Sequence, residues 1–272
     1  MNEQDDFVLP DWLMDKSYAY TERLSGPQWA WEFLRRNAEF RADWRKAQLE
    51  YGLSGYDPPV TMMMSQYDTP MLAKWGLLYC TTPNDDSRTA GAFWNPGLCP
   101  TVLRLQGFPA TAEIAAAPFV IDDLKCPSIL LEMPNESQHL LFMDEGRRLQ
   151  LAVEGADVMR PVRLLVEGTL EKELAAAQLR SLRCFNDLRI SGRLYDSHIE
   201  RGRGPERLHL VLRILDANLS GATRNEIARN IFADEYFTDG WSGANQLLRD
   251  RVRRAIYRGR ALMRKAYRSL LT

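Results

Sequence analysis

The chain has 272 residues, 45% of them apolar and 26% charged, with a formal net charge of −1. That length supports one large domain or two ordinary ones, and no run approaches the roughly 18 apolar residues that cross a bilayer. The start, Met1-Asn2-Glu3-Gln4-Asp5-Asp6, lacks the basic and apolar parts of a signal peptide, so a cytoplasmic protein with no membrane partner is expected.

In chain order, residues 1–20 read as an irregular aromatic lead-in carrying Phe7, Trp12, Leu13, Tyr18 and Tyr20. Ser25-Gly26-Pro27-Gln28 then predicts a helix start, with Ser as N-cap, Pro in the first turn and Gln three residues on. The helix that follows places Ala30, Phe33, Leu34, Phe40 and Trp44 near one face, and Asn37 reads as the cap of a second helix through Lys46 to Tyr51. This aromatic density is assigned to a core or docking face rather than a ligand box. Residues 52–100 are rich in turns; Thr81 to Thr89 reads as an exposed loop, and Met62–Met64 precede a short helix expected around Met71 to Leu78.

From Thr101 the pattern turns to strands at Val102–Leu105, Phe119–Ile121, Ile129–Met133 and His139–Met143. Asp144-Glu145-Gly146 predicts a hairpin turn into Arg148–Glu154, and Val162–Val166 is a further strand. Thr169, with Glu171 and Glu173 in the first turn, predicts a long helix buried through Leu170, Leu174, Ala177, Leu182, Phe185 and Leu188. Ser191 to Pro205 is a linker; Pro205 and Glu206 open a helix with Leu208, Leu212, Leu215 and Leu219 in register, stopping at Ser220-Gly221.

The end of the chain is electrically unlike the rest. Residues 243–272 hold eight arginines and one lysine against Asp250, a net +8 that leaves −9 for everything upstream. Leu248, Val252, Ala255, Ile256, Gly259, Leu262, Met263, Ala266 and Leu270 fall within an arc of roughly 120° on a helix, and every cation lies outside it. A solvated face usually mixes signs, whereas this one is of single sign and rich in arginine, which suits phosphate or guanine. Thr223-Arg224-Asn225-Glu226 is a capping box for a short helix ahead of it. Helix, turn, capped helix and long cationic helix is a helix-turn-helix layout, although its last connection and last helix are both long.

Those C-terminal residues resemble a known family. Glu226-Ile227-Ala228, Leu248-Arg249-Asp250-Arg251-Val252-Arg253-Arg254 and Gly259-Arg260-Ala261-Leu262-Met263 are similar to the variant helix-turn-helix domain shared by FseA-type and RovC-type bacterial transcriptional activators. Trp29-Ala30-Trp31-Glu32-Phe33-Leu34-Arg35-Arg36-Asn37 resembles the domain that precedes it in the FseA type. The resemblance implies activation of excision and conjugative-transfer genes of an integrative and conjugative element, quorum-linked control, and inhibition by a small antiactivator protein. It implies double-stranded promoter DNA as partner, with Arg249, Arg251, Arg253, Arg254, Arg258 and Arg260 contacting DNA and Arg224 and Arg229 reaching phosphates. Trp241, Ile227, Ile231, Phe232, Val252 and Ile256 would form the module's core; the RovC type is an oligomer.

The expected fold is therefore α+β: a helical N-terminal domain, a small central β-sheet with a long helix, and a C-terminal helix-turn-helix variant with a long basic helix. The expected domains are residues 1–100, a regulatory domain, and 101–272, an activator domain made of a sheet part (101–200) and the helix-turn-helix part (205–272). The competing reading is an interaction module whose basic helix docks on RNA polymerase or the antiactivator without reading DNA. An enzyme is not expected, because no phosphate-binding loop, Gly-x-Ser-x-Gly or carboxylate cluster occurs. No metal or cofactor is expected either: Cys80, Cys99, Cys126 and Cys184 form no Cys-x-x-Cys pair and lack ligand spacing with His139, His198 or His209.

Overall fold

The computed structural model describes residues 7–51, 60–64, 70–110, 118–168, 172–195, 204–233 and 242–271. It is an α+β protein of two compact units, one of residues 1–38 with 201–270 and one of 39–200 with 271–272. The boundaries of these units do not coincide with the expected division at residue 100. The first 38 residues complete the helical unit, and the turn-rich segment before residue 100 supplies strands to the sheet unit.

The sheet unit contains β1 (Val60–Met64), β2 (Leu77–Tyr79), β3 (Phe93–Trp94), β4 (Leu103–Pro109), β5 (Ser128–Glu132), β6 (Gln138–Asp144), β7 (Arg147–Glu154) and β8 (Val162–Val166). Six strands form one sheet in the order β1-β5-β6-β7-β4-β8, and β2 and β3 make a separate antiparallel ribbon. The expected turn joins β6 to β7, with Glu145 and Gly146 at φ of 46° and 84°, the two positive values that a type I′ turn requires. Alternation then sorts the side chains: Leu103, Leu105, Leu140, Phe142, Leu151 and Val153 pack with Cys184, Phe185 and Leu188 of the long helix Lys172–Ser191. On the opposite face Ile129, Leu131 and Leu141 meet Tyr79 and Phe93 of the ribbon. Gln150 holds that ribbon like a strand neighbour, accepting from the Trp94 amide at 2.9 Å and donating to the Trp94 carbonyl at 2.8 Å.

Several expectations change here. Met62–Met64 lie in β1, an edge strand parallel to β5. The short helix is only Pro70–Ala73, and Leu77 and Leu78 pass into β2. The loop after Thr81 tucks Pro83 and Ser87 inside rather than lying wholly exposed. Phe119 makes a single bridge to Val162, and Ile121–Asp123 is a 3-10 turn rather than strand. Ser181 and Cys184 join the buried side of the long helix while Leu174 and Leu182 are half-buried. Thr169, Leu170 and Glu171 lie outside the described residues.

The helical unit opens with a 3-10 segment, Asp15–Arg23, where an irregular lead-in was expected, and continues into α1 (Gly26–Leu34). The Ser25 amide and hydroxyl both donate to Gln28 Oε1, at 3.0 and 2.9 Å, as the sequence indicated. Directly after Asn37, α2 (Ala38–Tyr51) begins. In chain order, α3 is Pro70–Ala73 and α4 is Lys172–Ser191; α5 (Pro205–Leu219), α6 (Arg224–Ile231) and α7 (Ser242–Arg264) then build the helical unit.

Candidate nucleic-acid interface

The three C-terminal helices are assembled by local signals that the sequence carries openly. Pro205 occupies the first turn of α5 after Gly204 at φ 66°, and Gly221 at φ 88° ends the helix region. Thr223 Oγ1 accepts from the Glu226 amide at 3.2 Å, and the Thr223 amide donates back to Glu226 Oε2 at 2.7 Å. Hydrogen bonds from the Thr223 backbone and side chain hold the Glu226 carboxyl below its usual range. Ile214, Ala217, Ile227, Ala228, Phe232, Leu248 and Val252 form the core between α5, α6 and α7, with Ile231, Ala255 and Ile256 packed against it. At Gly259 a Cβ would lie 3.0 Å from Leu215 Cβ, so α7 crosses α5 closely and a larger residue there would press on Leu215. Leu208, Leu212 and Leu215 are buried as expected, whereas Leu219, the last residue of α5, is 39% exposed.

The charged side of α7 is as expected. Arg249, Arg251, Arg253, Arg254, Arg258, Arg260 and Arg264 are all exposed, as are Arg224 and Arg229 on α6. At about 100° per residue, Arg249, Arg253, Arg260 and Arg264 run along one side of the buried seam, and Arg251, Arg254 and Arg258 along the other. Three guanidiniums are steered by neighbours: Arg253 pairs with Asp250 at 3.2 Å, Arg260 donates to Asn218 at 2.8 Å, and Arg251 lies 4.3 Å from the centre of the Phe232 ring. No ion pair forms at Arg254 or Arg258 among the described residues. The helix stops at Arg264; Ala266–Leu270 is a 3-10 segment in which Ala266 is exposed and Tyr267 buried, so the apolar arc does not continue to the end as expected.

One functional candidate was missed. Tyr257 is 78% exposed and stands on the outward side of α7 between the two rows of arginines. Its wheel position, far from the apolar arc, was the available signal. Trp241 and the loop around it, 234–241, lie outside the described residues.

Beneath this surface sits a buried polar network that sequence reading did not find. Arg36 is fully buried, its Nε and Nη2 donating to Asp216 of α5 at 2.5 and 2.7 Å and its Nη1 to Glu32 Oε2 at 2.7 Å. Tyr18 donates to Asp216 at 2.8 Å, Tyr20 to Glu32 at 2.9 Å, and Arg35 to Glu32 at 2.8 Å. Burial alone would raise the Glu32 carboxyl, but the Arg35 and Arg36 guanidiniums hold it at about 2. Outside the network, Arg213 donates to the Trp12 carbonyl at 2.7 Å and pairs with Asp15 at 2.6 Å. The N-terminal turn, α1 and the first helix of the helix-turn-helix layout are thus one structure.

Comparison with known families then decides what the layout is for. Residues 167–272 match the family described as "T6SS, Transcription factor, DNA binding domain". The chain is a DNA-binding transcription regulator. Residues 11–80 match the proteobacterial transcriptional regulator-like domain. No curated protein matches the chain. Neither matched range follows the compact units: the first spans α4 of the sheet unit as well as α5 to α7, and the second runs from the helical unit into the sheet unit. Among the described residues no helix is long and apolar enough to cross a membrane.

Proposed function

We propose that this regulator is an activator that binds promoter DNA through α7 and switches on excision and conjugative-transfer genes of a mobile element, acting in the cytoplasm without chemistry of its own. The observation that carries the DNA-reading part is the pair of exposed arginine rows flanking α7, set on a packed and capped three-helix scaffold. A helix laid in the major groove, about 12 Å wide, meets one phosphate strand on each side, and the two rows match that arrangement. Arg249, Arg253 and Arg260 face one backbone, Arg251 and Arg258 the other, and Arg224 and Arg229 on α6 add phosphate contacts. The resemblance of residues 29–37 and of the C-terminal block to FseA-type activators supports the target genes, quorum-linked control, and RNA polymerase, a small antiactivator and a homo-oligomer as partners.

The test is a fluorescence-anisotropy titration of the Arg253→Ala, Arg254→Ala double variant against a duplex carrying the element's own upstream region. Affinity falls by tenfold or more, and the salt slope drops by about 1 for each phosphate that the variant no longer neutralises. The melting temperature stays put, since exposed charges add little to the fold. Unchanged affinity in the double variant overturns the assignment. Footprinting then defines the operator, and a reporter assay with and without the antiactivator separates activation from repression.

A further inference from the structure

On the face of the sheet away from α4, a cleft of about 590 Å³ opens in the sheet unit, within the ~300–1,000 Å³ range of small-molecule sites. Its floor comes from alternate residues of three strands, Arg104 of β4, His139 of β6 and Glu154 of β7, and Met133, Asn135 and Glu167 stand around it. The Arg104 guanidinium is oriented by donation to the Pro96 carbonyl at 2.8 Å. Glu154 and Glu167 are exposed, and neither makes an ion pair among the described residues. His139 is only 4% exposed, and its Nδ1 is buried without a hydrogen-bond partner. Buried polar atoms in a folded protein are almost always satisfied. The imidazole lines the cleft, and its other ring nitrogen is not among the sealed, unpartnered atoms, so that nitrogen is the one a ligand's polar group can reach.

The charges say which ligand. One cation faces two carboxylates, so the cleft is net negative yet retains a carboxylate-binding guanidinium. Burial holds the His139 imidazole at about 4, which leaves it neutral at pH 7, a donor and an acceptor rather than a second cation. We propose that this cleft binds a basic amino acid: its carboxylate on Arg104, its ammonium groups on Glu154 and Glu167, and a polar atom at His139. This goes beyond the promoter-binding role and does not depend on it.

Isothermal titration calorimetry of the full chain with L-arginine, L-lysine, L-ornithine and L-histidine tests it, beside agmatine, cadaverine, putrescine and histamine as the amines lacking the carboxylate. At least one amino acid binds saturably at one per chain, its amine counterpart binds tenfold or more weakly, and the Glu154→Gln, Glu167→Gln variant loses tenfold or more. The two carboxylates are exposed, so an unchanged melt of that variant shows the loss to be local. In the wild-type chain, imidazole NMR reads the same event without any substitution: the chain has three histidines, and the resonances of His139 shift on saturation. No binding by any of the four amino acids, equal binding by the amines, or an unmoved His139 signal overturns the proposal. Gel shifts report on α7 separately, so a failure here leaves the DNA reading untouched.

Discussion

Both units have apolar cores, but the helical unit also buries charges where the sheet unit buries only neutral polar groups. At the centre of the helical unit, Arg36, Glu32 and Asp216 are fully buried and joined to Tyr18 and Tyr20. The sheet unit buries Leu, Ile, Val and Phe on both faces of its sheet, and the polar groups buried with them, among them Gln138, Gln150 and the imidazole of His139, carry no ion pair among the described residues. A sheet needs no long-range polar code, because a one-residue slip would turn every apolar side chain outward and the pleat enforces register by itself. Helices with broad apolar sides can slide or rotate on one another. The Arg36 fork demands one placement of α1 against α5, and so positions the scaffold that presents α7.

The sharpest way to break that contrast is Asp216→Ala. It leaves the Arg36 guanidinium buried without its bidentate partner and Tyr18 without its acceptor. Removing one member of a buried pair costs about 3–5 kcal/mol, which urea denaturation reads as a lower midpoint at unchanged slope. A loss under about 1 kcal/mol would mean that the network adds little beyond apolar packing.

Acid separates the two interiors in different windows. Glu32 has a folded value of about 2 against an ordinary 4.5; its contribution is complete above 4.5 and is lost as pH falls toward 2, about 3 kcal/mol in all. His139 has a folded value of about 4 against 6.5. The unfolded chain takes up its proton first, so stability falls as pH drops from 6.5 to 4, again by about 3 kcal/mol at most. Near-neutral acidification is thus carried by the sheet unit and strong acidification adds the helical unit. A His139→Gln variant whose stability still falls as steeply between pH 6.5 and 4 as the wild type's would disprove the assignment.

The same contrast explains how much could be read from the residues alone. Signals that act within a few positions were legible: the Thr223–Glu226 box, the Glu145-Gly146 turn, the alternation of Leu149, Leu151 and Val153, and the single-signed face of α7. What was illegible depends on partners far away in sequence. Arg36 and Asp216 look like any surface charges until folding brings them together across 180 positions, and the acidic, aromatic lead-in gives no sign that it belongs with α5. Met62–Met64 lack alternation, so no period marked them as a strand.

The smallest expected effect belongs to Tyr257, and it discriminates best between reading DNA and merely being attracted to it. The ring is 78% exposed with arginines on both flanks, so Tyr257→Ala moves stability by less than about 0.5 kcal/mol. If α7 lies in the groove, its outward side faces the base edges, where a phenol meets a thymine methyl or hydrogen-bonds an edge atom. Removing one such interaction costs about 1 kcal/mol, and that cost appears against the operator and not against a scrambled duplex. The arginine variants weaken both duplexes together, because phosphates carry no sequence. Parallel anisotropy titrations on the two duplexes measure the difference. An equal weakening on both would make Tyr257 a backbone contact and move sequence reading elsewhere on the helix.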